Sequence, residues 1–311
     1  MLVQDYPEMF KSVEVARSSV RRVVGQNGET HRKYTPEKQM FQEPRDQRDW
    51  KQFLPPGQRR GHSPVNITGP VKILFISDIH CPYHDERAID IAIRTGVDEG
   101  CTGVYLGGDG LDFYRISRWV KDPRKRKPRA EIETFIQVMD VLASAFPDST
   151  KRWYKFGNHE ERWDHFVWTR APELADLPFA DLKTNLGGLG LSGWNYVESK
   201  QRARAGALNI IHGHEFPRGI TNPVNPARGV WLRLKETAII GHFHKASQHN
   251  EAHPIKKKIT QTWSVGCLCD MEPEYAALNE WTQGFAIINL ASDGSFEVDN
   301  YLIQGDRAYG I

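Results

Sequence analysis

From residue 71 onward the chain is a series of apolar runs that each end in a polar cluster. Val71-Lys72-Ile73-Leu74-Phe75-Ile76 has the near-continuous apolar character of a strand covered on both faces, and it stops at Ser77-Asp78. Between Asp85 and Glu99, the residues Ala88, Ile89, Ala92 and Ile93 recur at helical steps and predict a helix. Gly103 to Gly107 reads as a second strand. Ile132, Phe135, Ile136, Met139, Leu142, Ala143 and Phe146 then form one stripe, predicting an amphipathic helix from Glu131 to Phe146 that Pro147 terminates. Arg152 to Phe156 reads as a strand and Glu160 to Thr169 as a helix, so the opening half runs β-α-β-α-β-α.

The later half reads differently. Strands are expected at Ala207 to Ile211, Ala238 to Ile240, Ile259 to Val265, Gly284 to Leu290 and Phe296 to Ile303, with one helix from Ala227 to Glu236. Late strands outnumber helices, which fits an α/β architecture of two packed mixed β-sheets flanked by helices better than one doubly wound sheet. No internal repeat is visible.

Composition changes near residue 70. The preceding stretch is polar, charged and punctuated by Pro44, Pro55-Pro56-Gly57, Gly61 and Gly69-Pro70, so residues 1–69 are read as an N-terminal extension with a linker from about Phe41, and 70–311 as the main domain. Within the extension, Val13, Val15, Ala16, Val20, Val23 and Val24 can share one face of a short helix whose other face carries Arg17, Arg21 and Arg22. The run Val15 to Arg22 resembles the turn and recognition-helix start of helix-turn-helix proteins; a packing helix with a solvated basic face is the other reading.

Bulk properties exclude more than they specify. The 311 residues carry Lys+Arg 41 against Asp+Glu 39, a net charge of +2, so a polyanionic partner must be argued from local charge. Four cysteines, Cys81, Cys101, Cys267 and Cys269, show neither paired zinc spacing nor the density of a disulfide scaffold, and a reducing cytoplasm is the expected setting. Met1 to Phe10 lacks a basic-then-apolar leader and no apolar run reaches bilayer length, so neither export nor membrane insertion is expected.

The chemistry lies in the polar clusters: Asp78-Ile79-His80, Gly108-Asp109-Gly110-Leu111-Asp112, Gly157-Asn158-His159-Glu160, His212-Gly213-His214 and Gly241-His242-Phe243-His244. Each follows an apolar strand and so falls at its carboxyl end, where open α/β sheets place ligands. An extended Asp-x-His or His-x-His sends both side chains to one side. Carboxylate and amide oxygens mixed with imidazole nitrogens suit a pair of divalent cations. One such motif is a common accident; five in series, each at a strand end, are not.

In that order the motifs resemble the calcineurin-like metallophosphoesterase superfamily, from about Val71 to Ile303. The resemblance implies a four-layer sandwich holding two divalent metal ions, with Asp78, His80 and His244 on one, Asn158, His212 and His242 on the other, and Asp109 bridging. It implies His159 as proton donor or transition-state stabiliser, oriented by Asp112, and leaves His214 near the substrate or behind the metals. The ligand set accepts Mn2+, Fe, Zn, Co, Ni or Mg, and Mn2+ is the expected ion. Cys81, three positions after Asp78, is read as a small buried thiol, and Cys267 and Cys269 as structural.

Two dications against the carboxylates of Asp78 and Asp109 leave a net positive site suited to a phosphate-ester anion. Ions about 3.5 to 4 Å apart acidify a shared water and polarise phosphoryl oxygens. The basic run Lys121 to Arg129, with Arg124, Lys125, Arg126 and Lys127 at its centre, is either a solvated loop or a strip for a DNA or RNA backbone. Trp119, Trp163, Trp168 and Trp194 are candidates for base stacking or for packing. Serine/threonine phosphatases share Gly-Asn-His-Glu but place arginine before it and in an Asp-Arg-Gly context; here Phe156 and Phe113 stand instead. The expected activity is therefore phosphodiester cleavage in nucleic acid or nucleotides, with phosphomonoester hydrolysis as the enzymatic alternative. A nucleic-acid-binding protein with a structural metal centre is the non-enzymatic one.

Overall fold

A computed structural model of the chain describes residues 2–24, 49–57, 61–118, 127–216, 219–220, 224–273 and 278–311. The chain divides between residues 60 and 61 into two compact units. The first contains helices α1 (Leu2–Asp5) and α2 (Val13–Val24). The Ser12 hydroxyl accepts from the Val15 amide at 3.2 Å and starts α2, and Ala16 is buried, while Val13, Val15 and Val20 stay exposed. Because α2 runs unbroken through Val15 to Arg22, the turn required by a helix-turn-helix reading of that run is absent.

The second unit contains, in order, β1 (Val65–Ile67), β2 (Val71–Ile76), α3 (Glu86–Asp98), β3 (Gly103–Leu106), α4 (Pro128–Ser144), β4 (Lys151–Lys155), α5 (Glu161–Arg170), α6 (Leu182–Gly188), β5 (Asn195–Val197), β6 (Ala203–Ala205), β7 (Leu208–Ile210), α7 (Pro226–Leu234), β8 (Ala238–Ile240), β9 (Ser247–Ala252), β10 (Ile259–Ser264), β11 (Gly284–Leu290), β12 (Phe296–Gln304) and β13 (Arg307–Gly310). Among the described residues the strands form a seven-stranded sheet, β13-β12-β11-β2-β3-β4-β5, and a six-stranded sheet, β1-β6-β7-β8-β10-β9. Both are mixed. In the larger one β2 to β5 are parallel and β11 to β13 antiparallel.

Strand alternation builds the layers. Ile73 and Phe75 of β2 face the layer between the sheets, which also holds Tyr105, Trp153, Ile210, Ile239, Trp263, Ala286 and Ile288. Leu74 and Ile76 point the other way and join Ala88, Ala92, Phe135, Met139 and Leu142 of α3 and α4. On the far side of the smaller sheet, Ala238 and Ile240 pack against Val230 of α7. The result is helices, sheet, sheet, helix, as the late excess of strands predicted.

Side-chain caps fix the helices that flank the sheets. Asp85 accepts from the Ala88 amide at 2.9 Å to start α3, and Asn225 accepts from Arg228 at 2.9 Å ahead of Pro226 to start α7. Sequence periodicity places α3 to α5 and α7 within three residues of their observed ends. It does not reveal β1, β5, β6, β9 or β13. The main sheets also take in Val65–Ile67, which pairs in parallel with Ala203–Ala205.

Candidate metal centre

Parallel strands end on the same edge, and that topology delivers the polar clusters to one place. Asp78 and His80 follow β2, Asp109 follows β3, Asn158 and His159 follow β4, His212 follows β7, and His242 and His244 follow β8. The turns leaving these strands are tight. Asp78, His80, Asp109, His242 and His244 all have φ between 51° and 68°, a region costly for residues with a Cβ. Backbone bonds tie the turns together: Asp78 donates to Gly108 at 3.0 Å, His80 to Asp109 at 2.9 Å, and Gly241 to His212 at 3.0 Å.

Three groups of donor atoms result, each with its members within 4.8 Å of one another: Asp78, His80 and His244; His80, Asp109 and His159; and Asp109, His212 and His242. His80 Nε2 lies 3.1 Å from His244 Nε2, and Asp78 Oδ1 lies 3.3 Å from the latter. Asp109 Oδ2 lies 3.2 Å from His212 Nε2, 3.8 Å from His159 Nε2 and 3.9 Å from His80 Nε2, so one carboxylate oxygen faces both sides of the cluster.

The fit to cations is tested by atoms left without partners. Asp78 Oδ1, Asn158 Oδ1 and His212 Nε2 are buried without a hydrogen-bond partner, though His212 Nε2 lies 3.2 Å from Asp109 Oδ2. Such atoms are costly in a protein interior unless something binds them. All three belong to the ligand set that the resemblance implies, so the cluster can hold metal ions.

Electrostatics agree. Burial opposes the charge on Asp78, yet His244 and His80 hold its carboxyl well below the usual carboxylate range; His212 and His159 do the same for buried Asp109. Burial would lower the pKa of His212, but Asp109 raises it to about 9. Burial and His212 push His242 down to about 3, leaving a neutral imidazole.

A supporting ring surrounds these atoms, and most of it was not read from the sequence. Glu160, 1% exposed, accepts from the amides of Asp109 (3.0 Å), Gly110 (2.9 Å), Leu111 (3.1 Å) and Gly157 (2.7 Å) and from the Tyr154 hydroxyl (2.7 Å). One carboxylate thus fastens the loop after β3 to the loop after β4. Glu215 accepts from the amides of His212 at 3.0 Å and Gly213 at 2.7 Å, and pairs with buried Lys155 at 3.2 Å. Gly157 is required by close approach, because a Cβ there would meet the Asp109 carboxylate and the His212 ring.

His159 and Asp112 are in contact: His159 Nδ1 lies 2.9 Å from the Asp112 carbonyl and 3.2 Å from Asp112 Oδ1. The same Oδ1 lies 3.2 Å from His80 Nδ1, so Asp112 also orients a metal-ligand candidate. Arg162, which the sequence did not single out, donates to the Asp112 carbonyl at 2.7 Å and to His159 Nε2 at 2.9 Å. Its position three residues after His159, at the start of α5, was the available signal.

The remaining candidates scatter. His214 turns towards Glu161 at 3.5 Å and its side chain is 6% exposed. Lys127 precedes α4, whereas Arg124, Lys125, Arg126 and Trp119 lie outside the described residues. Trp194 is buried, Trp163 packs on the core and donates to the Ala180 carbonyl at 2.6 Å, and Trp168 is exposed. Cys81 is fully buried, and burial pushes its thiol pKa up. Among the described residues no helix is long and apolar enough to cross a membrane.

No family model matches the chain. The gene 54 protein of Mycobacterium phage L5 is 24% identical over 236 residues, covering 70% of this chain and 89% of the phage protein. Among solved structures, a Vps29 from Entamoeba histolytica aligns with a TM-score of 0.40 and 12% identity, covering 77% of this chain and 97% of that one. YfcE, a phosphoesterase from E. coli, aligns with a TM-score of 0.35 and 14% identity over 72% and 96%. These similarities are too distant to carry function from one chain to another. The chain's two mixed sheets and the gathering of its Asp and His side chains at the strand ends are the arrangement that the sequence resemblance leads one to expect.

Proposed function

We propose that the chain is a two-metal phosphoesterase whose preferred substrates are phosphodiesters of nucleic acid or nucleotides. One ion would be held by Asp78, His80 and His244 and the other by Asn158, His212 and His242, with Asp109 between them. When bound, such ions supply Lewis acidity to phosphoryl oxygens and bring the pKa of water towards neutrality. The observation that carries the reading is the gathering of Asp78, His80, Asp109, His212, His242 and His244 from separate strand ends, with Asp78 Oδ1 and His212 Nε2 buried and unpartnered.

The chain's own groups handle the proton and the substrate. Because the Arg162 guanidinium can only donate, His159 accepts at Nε2 and carries its proton on Nδ1, towards Asp112. For His159 to protonate a departing oxygen from Nε2, 3.8 Å from Asp109 Oδ2, Arg162 must move off that nitrogen and Nε2 must first take up a proton from solvent while Nδ1–H stays on Asp112. Beside it runs a groove of about 540 Å³ lined by Arg118, Asn158, Arg162, His165 and Arg170. Cationic side chains around a groove that reaches Asn158 suit a ligand bearing more than one phosphate.

The test is turnover of bis(p-nitrophenyl) phosphate and of single-stranded DNA with added Mn2+. The expected result is hydrolysis of the diester and cleavage of the DNA. Brisk hydrolysis of p-nitrophenyl phosphate with neither diester cleaved would make the protein a phosphomonoesterase. No turnover of any ester by fully metal-loaded protein would leave a structural centre instead.

A further inference from the structure

A second group of donors abuts the first. Cys267 and Cys269, from the loop after β10, lie with a ring nitrogen of His244 so that the three ligand atoms are within 4.8 Å of one another. Met271 Sδ is 3.8 Å from Cys267 Sγ, extending the sulfur set along the alternating run Cys267-Leu268-Cys269-Asp270-Met271. Both thiols are buried, at 0% and 3% exposure, and both are free. His244 is 6% exposed, and its Nδ1 is buried without a hydrogen-bond partner.

Backbone bonds hold the group together before any ion arrives. The Thr282 amide donates to the His244 carbonyl at 2.7 Å, the Cys267 amide to the Thr282 carbonyl at 3.0 Å, and the Leu268 amide to the Asp78 carbonyl at 3.1 Å. The cysteine loop is therefore stitched to both turns that carry the Asp78 side of the metal centre. Buried free thiols packed only for volume need no imidazole and no thioether beside them.

We propose that Cys267, Cys269 and His244, with Met271 alongside, form a distinct site for a soft, thiophilic cation such as Cd2+, Zn2+ or Cu+. Thiolate and thioether sulfur select soft ions, whereas the oxygen- and nitrogen-rich cluster around Asp109 accepts harder ones. Binding expels the two thiol protons into solvent as the sulfur-to-metal bonds form. It also engages His244, whose Nε2 faces Asp78 and His80, so a soft ion here weakens the hold on the harder ion beside it. The binding claim is independent of the phosphoesterase reading; only its effect on turnover rests on that reading.

The probe is Cd2+ added to the full-length, Mn2+-loaded protein, read by the ultraviolet thiolate-to-cadmium charge-transfer band and by the manganese retained after dialysis. One cadmium per chain with the band, and loss of manganese, are expected. In a Cys267→Ser/Cys269→Ser variant the band disappears and cadmium affinity falls by about a hundredfold or more, while manganese content and diester hydrolysis before cadmium is added stay as in the wild type. A band that survives in the variant, pointing to Cys81 or Cys101, or no band in the wild type at equimolar cadmium, would overturn the proposal. X-ray absorption at the cadmium edge of the wild type gives a readout that needs no variant: two or more sulfur neighbours are expected, and a shell of nitrogen and oxygen alone refutes the site.

Discussion

Asp109 is the residue on which the cluster turns, because its Oδ2 faces His80, His159 and His212 while its Oδ1 accepts from the His159 amide at 2.9 Å. The His159 ring nitrogens lie 2.9 Å from the Asp112 carbonyl and from Arg162, but Nε2 is 3.8 Å from Asp109 Oδ2. His159→Ala is therefore expected to keep the metals and lose turnover by roughly a hundredfold to ten-thousandfold, checked by metal analysis beside diester kinetics; loss of the metals with activity would move His159 into the ligand set. Ligand candidates are legible in sequence because an Asp or His at a strand end is conspicuous against an apolar run. Arg162, Glu160 and Lys155 are not, since an Arg or Glu at a helix start and a Lys at a strand end look like ordinary surface residues until folding buries them.

Loops between strands and helices carry the site, and two carboxylates, buried Glu160 and partly buried Glu215, set their shape. Glu215, whose pKa burial alone would raise, is brought down to about 2, chiefly by Lys155 and His214. A depressed carboxyl stabilises the fold above its unfolded value of about 4.3 and loses that contribution as pH falls towards 2. In chelator-treated protein, Glu215→Gln should cost about 3 kcal/mol at pH 7, because Lys155 is left buried without its counter-charge. Its urea midpoint should also change less than the wild-type midpoint between pH 4.5 and 2. Parallel pH profiles for the two proteins would show that the pair does not stabilise the loop. Gly157→Ala is expected to displace the Asp109 carboxylate or the His212 ring and lower manganese affinity by at least about tenfold, measured by calorimetric titration; unchanged affinity would mean the loop after β4 yields freely.

Elements with a continuous apolar run or stripe announced themselves and those without one did not. β2, β8 and β11 match their apolar runs residue for residue, and α4 follows its stripe but begins three residues earlier, with Pro128 at its first position. β6 and β7 form a hairpin around Gly206, at φ 59°, but Ala203–Ala205 is too short and too small in side chain to read as a strand. β9, Ser-Gln-His-Asn-Glu-Ala, is an edge strand with alternating half-buried and exposed positions and no apolar run at all.

At the scale of the molecule, the two-sheet sandwich and the extension pose separate questions. The sandwich was predicted by counting late strands, and the register that brings β2, β3, β4, β7 and β8 to one edge follows from parallel pairing within each sheet. Because residues 1–60 form a compact unit of their own, their deletion is expected to leave model-ester turnover within about twofold, since no metal-ligand candidate lies there. DNA affinity lost together with the deleted segment would make it a binding module; DNA affinity retained would direct attention to the arginine-lined groove beside Asn158. Collapse of ester turnover on deletion would show that the sandwich depends on the extension.

The most direct test of the dinuclear account is elemental analysis of protein saturated with Mn2+ and then desalted. The account predicts two manganese ions per wild-type chain and loss of both from Asp109→Ala. A wild type that retains none or one, or an Asp109→Ala variant that keeps the full complement, would contradict it.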